Sequence, residues 1–301
     1  MYRKIIAGYD GRPSSEDALA LAKAIAEITG AELTAAGVFL ADPFWGGPDP
    51  HFQELEAETR EQIESAAKAA GAEALTRPSS STARGLHDLA EESGADLVVV
   101  GSASSGKVGQ VLAGNVALSL LHGSPCAVAV APKGYAEQAS HAVEEVTVGY
   151  DGSPESRAAV NDALDFARSA DASVKVVAVV EPPPVTYGKG GNQGRPELAK
   201  EIEKIMRSRL DDLLAELPDD VHVDGVLVTG DPAHALAEVA LEDGGVVFAG
   251  SRGYGPLRRV LLGSVSRELV SSAPCTVIVH PRSAEAEAPA MASSAQGETA
   301  R

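Results

Sequence analysis

Residues 246–266 read VVFAGSRGYGPLRRVLLGSVS, and the reading of this stretch decides the fold. Val246 to Ala249 is a short apolar run of buried-strand type. Gly250, Gly253 and Gly255 break the pattern, Gly263-Ser264 follows, and Val265 to Ser272 resumes with helical spacing. A strand, a glycine-rich turn and a new helix make a place for an anion. Glycines let the backbone approach a phosphate without an intervening side chain. The unpaired N–H groups and the positive dipole end of the next helix can hold its charge. Ser264 adds a hydroxyl that can cap the helix or bond a phosphate oxygen. The plainer reading is a strand-to-helix connection with glycines for tight turning.

Working outward, the whole chain repeats. Lys4 to Ala7 runs as a strand into Gly8-Tyr9-Asp10-Gly11, and Val146 to Gly149 runs into Tyr150-Asp151-Gly152-Ser153-Pro154. Ser124-Pro125-Cys126 answers Ala273-Pro274-Cys275, and Gly101 to Gly114 has the same span as Gly250 to Gly263. Between these markers strands and helices alternate. In the first copy the strands are Lys4–Ala7, Leu33–Leu40, Ala72–Thr76, Leu97–Val100 and Ala127–Ala131. In the second they are Val146–Gly149, Val174–Val180, Val223–Val228, Val246–Ala249 and Thr276–Val279. Such alternation implies a parallel sheet covered on both faces. The expected fold is α/β, with two tandem, doubly wound, parallel five-stranded sheets. In such sheets ligands sit at the carboxyl ends of the strands, at the topological switch point. There the turn after strand one, with Asp10 or Asp151, would meet the glycine turn after strand four.

The expected domains are 1–137 and 143–283, with Lys133 to Glu145 a polar linker and 284–301 a disordered acidic tail. The net charge of −18, from 43 acidic and 25 basic residues, repels nucleic acid and anionic membrane surfaces. A phosphorylated ligand would have to be held locally, by backbone N–H groups and a few cations. Cys126 and Cys275 are the only cysteines, too few for a disulfide framework or a zinc spacing. MYRKIIAGYDG has no signal-peptide pattern and no apolar run approaches membrane-spanning length, so the expected location is the cytoplasm.

Gly250-x2-Gly253-x9-Gly263-Ser264, behind a strand and with Asp151 after strand one, resembles the universal stress protein family. The resemblance covers roughly residues 1–133 and 145–282. It implies a Rossmann-like, adenine nucleotide alpha-hydrolase-like fold with strand order 3-2-1-4-5. It also implies ATP lying across strands one and four. Adenine and ribose would lie near Gly149, Tyr150, Asp151 and Val179, and the phosphates on Gly250, Arg252, Gly253, Gly263, Ser264, Val265 and Ser266. Magnesium would accompany ATP, with Asp151 touching it through phosphate or water. In the first copy the matching positions are Gly8, Tyr9, Asp10, Val38, Gly101, Gly106, Gly114, Asn115 and Val116. There Ser104 replaces the second glycine and Asn115 the small hydroxyl, so binding should be stronger in the second copy. The family also implies an intrachain pseudo-dimer through the final strands, with a homodimer and an unidentified protein partner left open.

On chemistry the residues agree. Asp151 suits ribose hydroxyls, the N6 amine or a magnesium-bound water; equally it can serve the start of the helix beside Ser153 and Pro154. Arg252 could pair with phosphate or stand solvated, and of Arg258 and Arg259 at most one would face the ligand. Gly101-Ser-Ala-Ser-Ser-Gly106-Lys107 matches the start of a phosphate-binding P-loop, but Val108 cannot hold magnesium, and we read the match as coincidence. The cysteines read as core or interface thiols rather than catalysts, and Trp45 and Tyr187 as packing of the two long loops rather than the lining of a lid. Two function classes remain. One is a nucleotide-binding stress-response module; the other is a slow ATPase or autophosphorylating enzyme on the same scaffold. The sequence favours the first, offering no arginine finger, no second magnesium carboxylate in the glycine stretch and no evident base for water. A regulatory domain of a transporter is disfavoured by the lack of a membrane span.

Overall fold

The apolar runs do form strands, and they join into one sheet. The computed structural model describes residues 1–40, 50–138, 142–182, 195–242, 245–251 and 262–281. In the first half, β1 (Lys4–Gly8), β2 (Glu32–Leu40), β3 (Glu73–Ser79), β4 (Leu97–Gly101) and β5 (Ala127–Ala131) alternate with α1 (Pro13–Thr29), α2 (Pro50–Ala70), α3 (Thr82–Ser93) and α4 (Asn115–Leu121). The second half repeats this with β6 (Glu145–Gly149), β7 (Ser173–Val180), β8 (Val223–Thr229), β9 (Val246–Gly250) and β10 (Thr276–His280). Its helices are α5 (Pro154–Ala170), α6 (Arg195–Glu216), α7 (Pro232–Glu242) and α8 (Ser264–Ser272).

The sheet order is β3-β2-β1-β4-β5-β10-β9-β6-β7-β8. Each half therefore has the order 3-2-1-4-5. The two expected five-stranded sheets are joined edge to edge, β5 to β10, into one sheet of ten strands. Within each half all pairings are parallel, and β5 meets β10 antiparallel, with Val130 opposite Val277 and Val128 opposite Val279. Both strands read as unbroken apolar runs because both of their faces are covered, and all five residues of β5 are buried. β3 ends three residues later than the sequence pattern suggests and runs through Pro78. Proline is tolerated there because β3 is an edge strand and one of its sides makes no ladder bonds.

Two apolar layers flank the sheet, and each spans both halves. On one side Leu97, Val99, Ala129, Val148, Phe248 and Ile278 pack with Leu21 of α1, Ile63 of α2 and Phe166 of α5. On the other, Val98, Val128, Val247, Val277 and Val279 pack with Leu86 of α3, Leu120 of α4, Leu236 of α7 and Leu269 of α8. Adjacent strand residues fall on opposite layers, as the period of two requires. The start of the linker is fixed rather than free. Tyr135 is buried in a short 3₁₀ turn (Tyr135–Glu137), and the Asp17 carboxylate accepts from the amides of Gly134 (2.8 Å) and Ala136 (2.9 Å). The expected tail, 284–301, lies outside the described residues.

Residues 1–133 expressed alone would leave the all-apolar β5 as an open edge. They are expected to dimerise or aggregate, as read by light scattering. A soluble monomer would contradict the role given to this seam.

Candidate functional site

At the carboxyl end of β6 the chain turns through Gly149-Tyr150-Asp151-Gly152-Ser153 into α5. The Tyr150 amide donates to Val177 O (2.9 Å), which ties the turn to β7. Asp151 Oδ1 accepts from the Ser153 amide (2.9 Å), an Asx-type closure of the turn. Ser153 Oγ caps α5 by accepting from the Ser156 amide (3.1 Å), and Pro154 occupies the first turn, where its missing N–H costs nothing. The plainer role weighed for Asp151 is thus partly real: the cap itself is Ser153, and Asp151 shapes the turn before it. Gly152 has φ +82°, and a Cβ there would come within 3.1 Å of Arg209 Cδ. Arg209 of α6 therefore lies over the Asp151 turn. Nothing in its sequence context marked it.

One strand over, Gly250 ends β9. A Cβ at Gly250 would meet the carbonyl carbon and oxygen of Glu155 at 2.7 Å, and one at Gly101 would meet Ser14 O at 1.7 Å. These two glycines admit the first turn of α5 and α1 against the strand end, a packing demand that the spacing of the motif did not reveal. Ser266 is buried and donates from Oγ to Gly250 O (2.8 Å), fastening α8 to β9. The N-cap of α8 is Gly263 (φ −63°, ψ 161°), with no side-chain cap, so Ser264 does not cap the helix as the sequence allowed. Ser264 is the exposed first helical residue. The first bond of the helix is from the Arg267 amide to Gly263 O (2.9 Å). The preceding amides of Ser264, Val265 and Ser266 have no intrahelical acceptor.

These pieces enclose one pocket of about 380 Å³. Its floor is Gly250 with Gly263, Ser264, Val265 and Ser266, and one wall is Gly149, Tyr150 and Asp151. Val177, Val179 and Val180 of β7, Ile202 and Met206 of α6, and Pro232 and Leu236 of α7 make an apolar wall. Glu155 and Glu181 add carboxylates at its margin. A cavity of this size, mostly apolar and with a few convergent polar groups, suits a small organic ligand. The open amides at the start of α8 suit an anionic end of that ligand. Of the second-copy residues singled out in the sequence, Gly149, Tyr150, Asp151, Val179, Gly250, Gly263, Ser264, Val265 and Ser266 are brought together here. Arg252 and Gly253 lie outside the described residues, as do Arg258, Arg259, Trp45 and Tyr187. Pro232, Leu236, Ile202 and Met206 were missed, being ordinary apolar positions until the helices fold over the strand ends. Among the described residues no group of three metal-ligating side chains forms, so magnesium here would need phosphate and water to complete its shell.

The first half differs in detail. Tyr9 donates its amide to Ala36 O (2.8 Å), as Tyr150 does to Val177. Asp10 accepts from the Arg12 amide (3.1 Å) and pairs with the Arg12 guanidinium (3.6 Å), where the second half has Ser153. A Cβ on Gly85 of α3 would meet Val38 Cγ1 at 2.6 Å, so α3 lies directly on Val38. Gly114 is the N-cap of α4, so Asn115 is the exposed first helical residue, not the cap the sequence allowed; Val116 follows, half-buried. Gly106 sits in a loop whose carbonyls face a lysine: Lys133 Nζ donates to Ser104 O (2.7 Å) and Gly106 O (3.0 Å). Lys107, of the P-loop coincidence, is exposed.

A duplicated, Rossmann-like α/β fold with a pocket at the ends of strands one and four in its second half defines the class to which the chain belongs. The chain belongs to the universal stress protein family, whose model matches residues 1–132 and 143–281. It is similar to a universal stress protein of Mycobacterium tuberculosis, at 27% identity over 92% of this chain and 99% of that one. One from Mycobacterium bovis is 31% identical over 91% of this chain and 94% of that one. Among solved structures, a universal stress protein from Archaeoglobus fulgidus superposes with a TM-score of 0.67 at 19% identity, covering 93% and 98% of the two chains. No helix among the described residues is long and apolar enough to cross a membrane.

Gly250→Ala should lower stability by roughly 1–3 kcal/mol, because the added methyl meets α5 backbone rather than a yielding side chain; urea unfolding measures it. Burial pushes the Cys126 thiol up to about 11 and Cys275 up to about 12. A raised thiol pKa in the fold stabilises it below the unfolded value of about 8.5, and this contribution is lost as pH climbs toward the folded values. At pH 8 both thiols should react with an aromatic disulfide reagent far more slowly in the native protein than in urea. Equal rates would contradict their burial.

Proposed function

We propose that the protein binds ATP with magnesium as a nucleotide-dependent stress-response module, organised as domains 1–137 and 143–283, with the principal site in the second. The observation that supports this best is the pocket itself. It places an apolar slot, a carboxylate at Asp151 and the uncapped amides of α8 within one cavity. In this reading the adenine lies against Val179, Leu236 and Met206. Asp151 meets the ribose, or a magnesium-bound water, and the phosphates meet Gly263, Ser264, Val265 and Ser266 at the helix start. Arg209 lies near enough to the Asp151 turn to favour an anionic ligand. The β5–β10 seam makes the two halves an intrachain pseudo-dimer.

The first half keeps the outline with poorer means. Arg12 occupies Asp10, and Asn115 replaces the compact hydroxyl of Ser264. Each misplaced hydrogen bond to a charged phosphate is worth about 1.5–3 kcal/mol, or on the order of tenfold to a hundredfold in affinity. Binding there is accordingly weak.

Calorimetry with ATP and magnesium on the intact chain should show one strong site and one weak or absent site. Gly263→Val should remove the strong site while leaving the unfolding midpoint near the parent, since φ −63° and ψ 161° suit a branched residue. Asp10→Ala should leave it almost unchanged. If Gly263→Val binds ATP as the parent does, the site is misplaced.

A further inference from the structure

In the first half, the loop that answers the second half's glycine stretch is bonded in a way no ligand site needs. Several of its amides are taken by protein acceptors. Ala103 N donates to Leu112 O (2.7 Å), Gly106 N to Ala103 O (3.0 Å) and Gly109 N to Lys133 O (2.8 Å). Leu112 N donates to Ser102 Oγ (3.2 Å), which itself donates to Ala131 O (2.6 Å). The half-buried Lys133 draws the carbonyls of Ser104 and Gly106 onto its ammonium. An anion cradle gathers N–H groups. This loop gathers carbonyl oxygens on a cation, the opposite polarity.

The same loop reaches across the seam. Val111 N donates to Ala273 O (2.7 Å) and Ala113 N to Val270 O (2.6 Å). Those carbonyls belong to the last turn and C-cap of α8, which a helix leaves without intrahelical donors. Val111 is fully buried in the layer that holds Leu269, Val270 and Ala273. Arg267 of α8 also reaches His122 Nε2, at the end of α4 (3.3 Å). The opposite end of α8 is the pocket floor. A nine-residue helix is a rigid rod roughly 13 Å long, so fixing one end fixes the other.

We propose that the first half's 101–114 loop is a strut that caps and fixes the C-terminal end of α8. Lys133 is the positioning residue that keeps the strut in shape and so tunes anion binding at the other end of the helix. The effect on binding rests on the ATP reading above; the strut itself does not.

Lys133→Met and Lys133→Arg in the full chain test it. The first readout needs no nucleotide: NMR-detected amide exchange. Lys133→Met should speed exchange at Val111, Ala113 and along α8 by roughly tenfold, with the core strands β1 and β6 unchanged. Lys133→Arg, which keeps donors for the two carbonyls, should stay near the parent. No change in α8, or a uniform rise through the whole sheet, would overturn the strut. The second readout is ATP affinity by calorimetry, expected to weaken about fivefold in Lys133→Met and to recover in Lys133→Arg. Faster α8 exchange with unaltered ATP affinity would overturn the coupling. Failure of the parent to bind ATP would count against the ATP reading and the coupling that rests on it, while exchange still decides the strut.

Discussion

The mutual covering of two apolar edges governs this molecule. β5 and β10 each close a five-strand half, and each would leave a row of unpaired N–H and C=O groups beside valine and alanine side chains. Pairing them antiparallel satisfies both rows at once, with Val128 to Val130 against Val279 to Val277. The joint relates the halves by an approximate two-fold, so like helices meet like. α1 packs near α5, and α4 and α8 share one layer. Both apolar layers become continuous across the joint, and the two halves share their cores.

The seam also explains why the glycines divide into two kinds. A doubly wound sheet brings the first turn of a helix against the end of the neighbouring strand. Gly101 and Gly250 stand at that approach, with Ser14 and Glu155 backbone where a side chain would go. Gly114 and Gly263 stand at the N-caps of the helices that follow, in backbone conformations open to any residue. The packing glycines serve the fold, while an absent side chain at Gly263 matters only if something must come close. Motif spacing alone cannot separate these cases, because both are glycines at fixed distances from a strand.

Much of the architecture was legible because the chain states it twice. The repeated Gly-Tyr-Asp-Gly and Pro-Cys markers aligned the halves, and apolar runs such as LVVV and VVFA placed the central strands. The residues around Asp151 and Gly263 came together as expected, since strands one and four are neighbours in each half. What stayed hidden were contacts between residues far apart in sequence. Arg209 over Gly152, the inward Ser266 bond and the α7 wall depend on helix placement, which periodicity does not encode. The capping expectation for Ser264 and Asn115 missed by one position. A glycine N-cap leaves its own carbonyl as the first helical acceptor, which turns the following polar residue outward. Which edge meets which is carried by no local pattern, and the pairing of the final strands entered the reading only through the family resemblance.

Duplication lets the two copies diverge while the seam holds the frame. In the second half the turn after strand one is closed by Ser153, whose amide donates to Asp151 and whose hydroxyl caps α5 through Ser156 N. In the first half Arg12 takes the Ser153 position and pairs with Asp10 directly. In the glycine loop of the first half, too, the cation comes from within the chain, supplied by Lys133. Both changes pair polar groups of the first half with cations from within the chain. The loop that Lys133 holds in turn bonds the end of α8 in the second half through Val111 and Ala113. In the strut reading, the first copy's loop supports the helix on which the other copy's pocket is built.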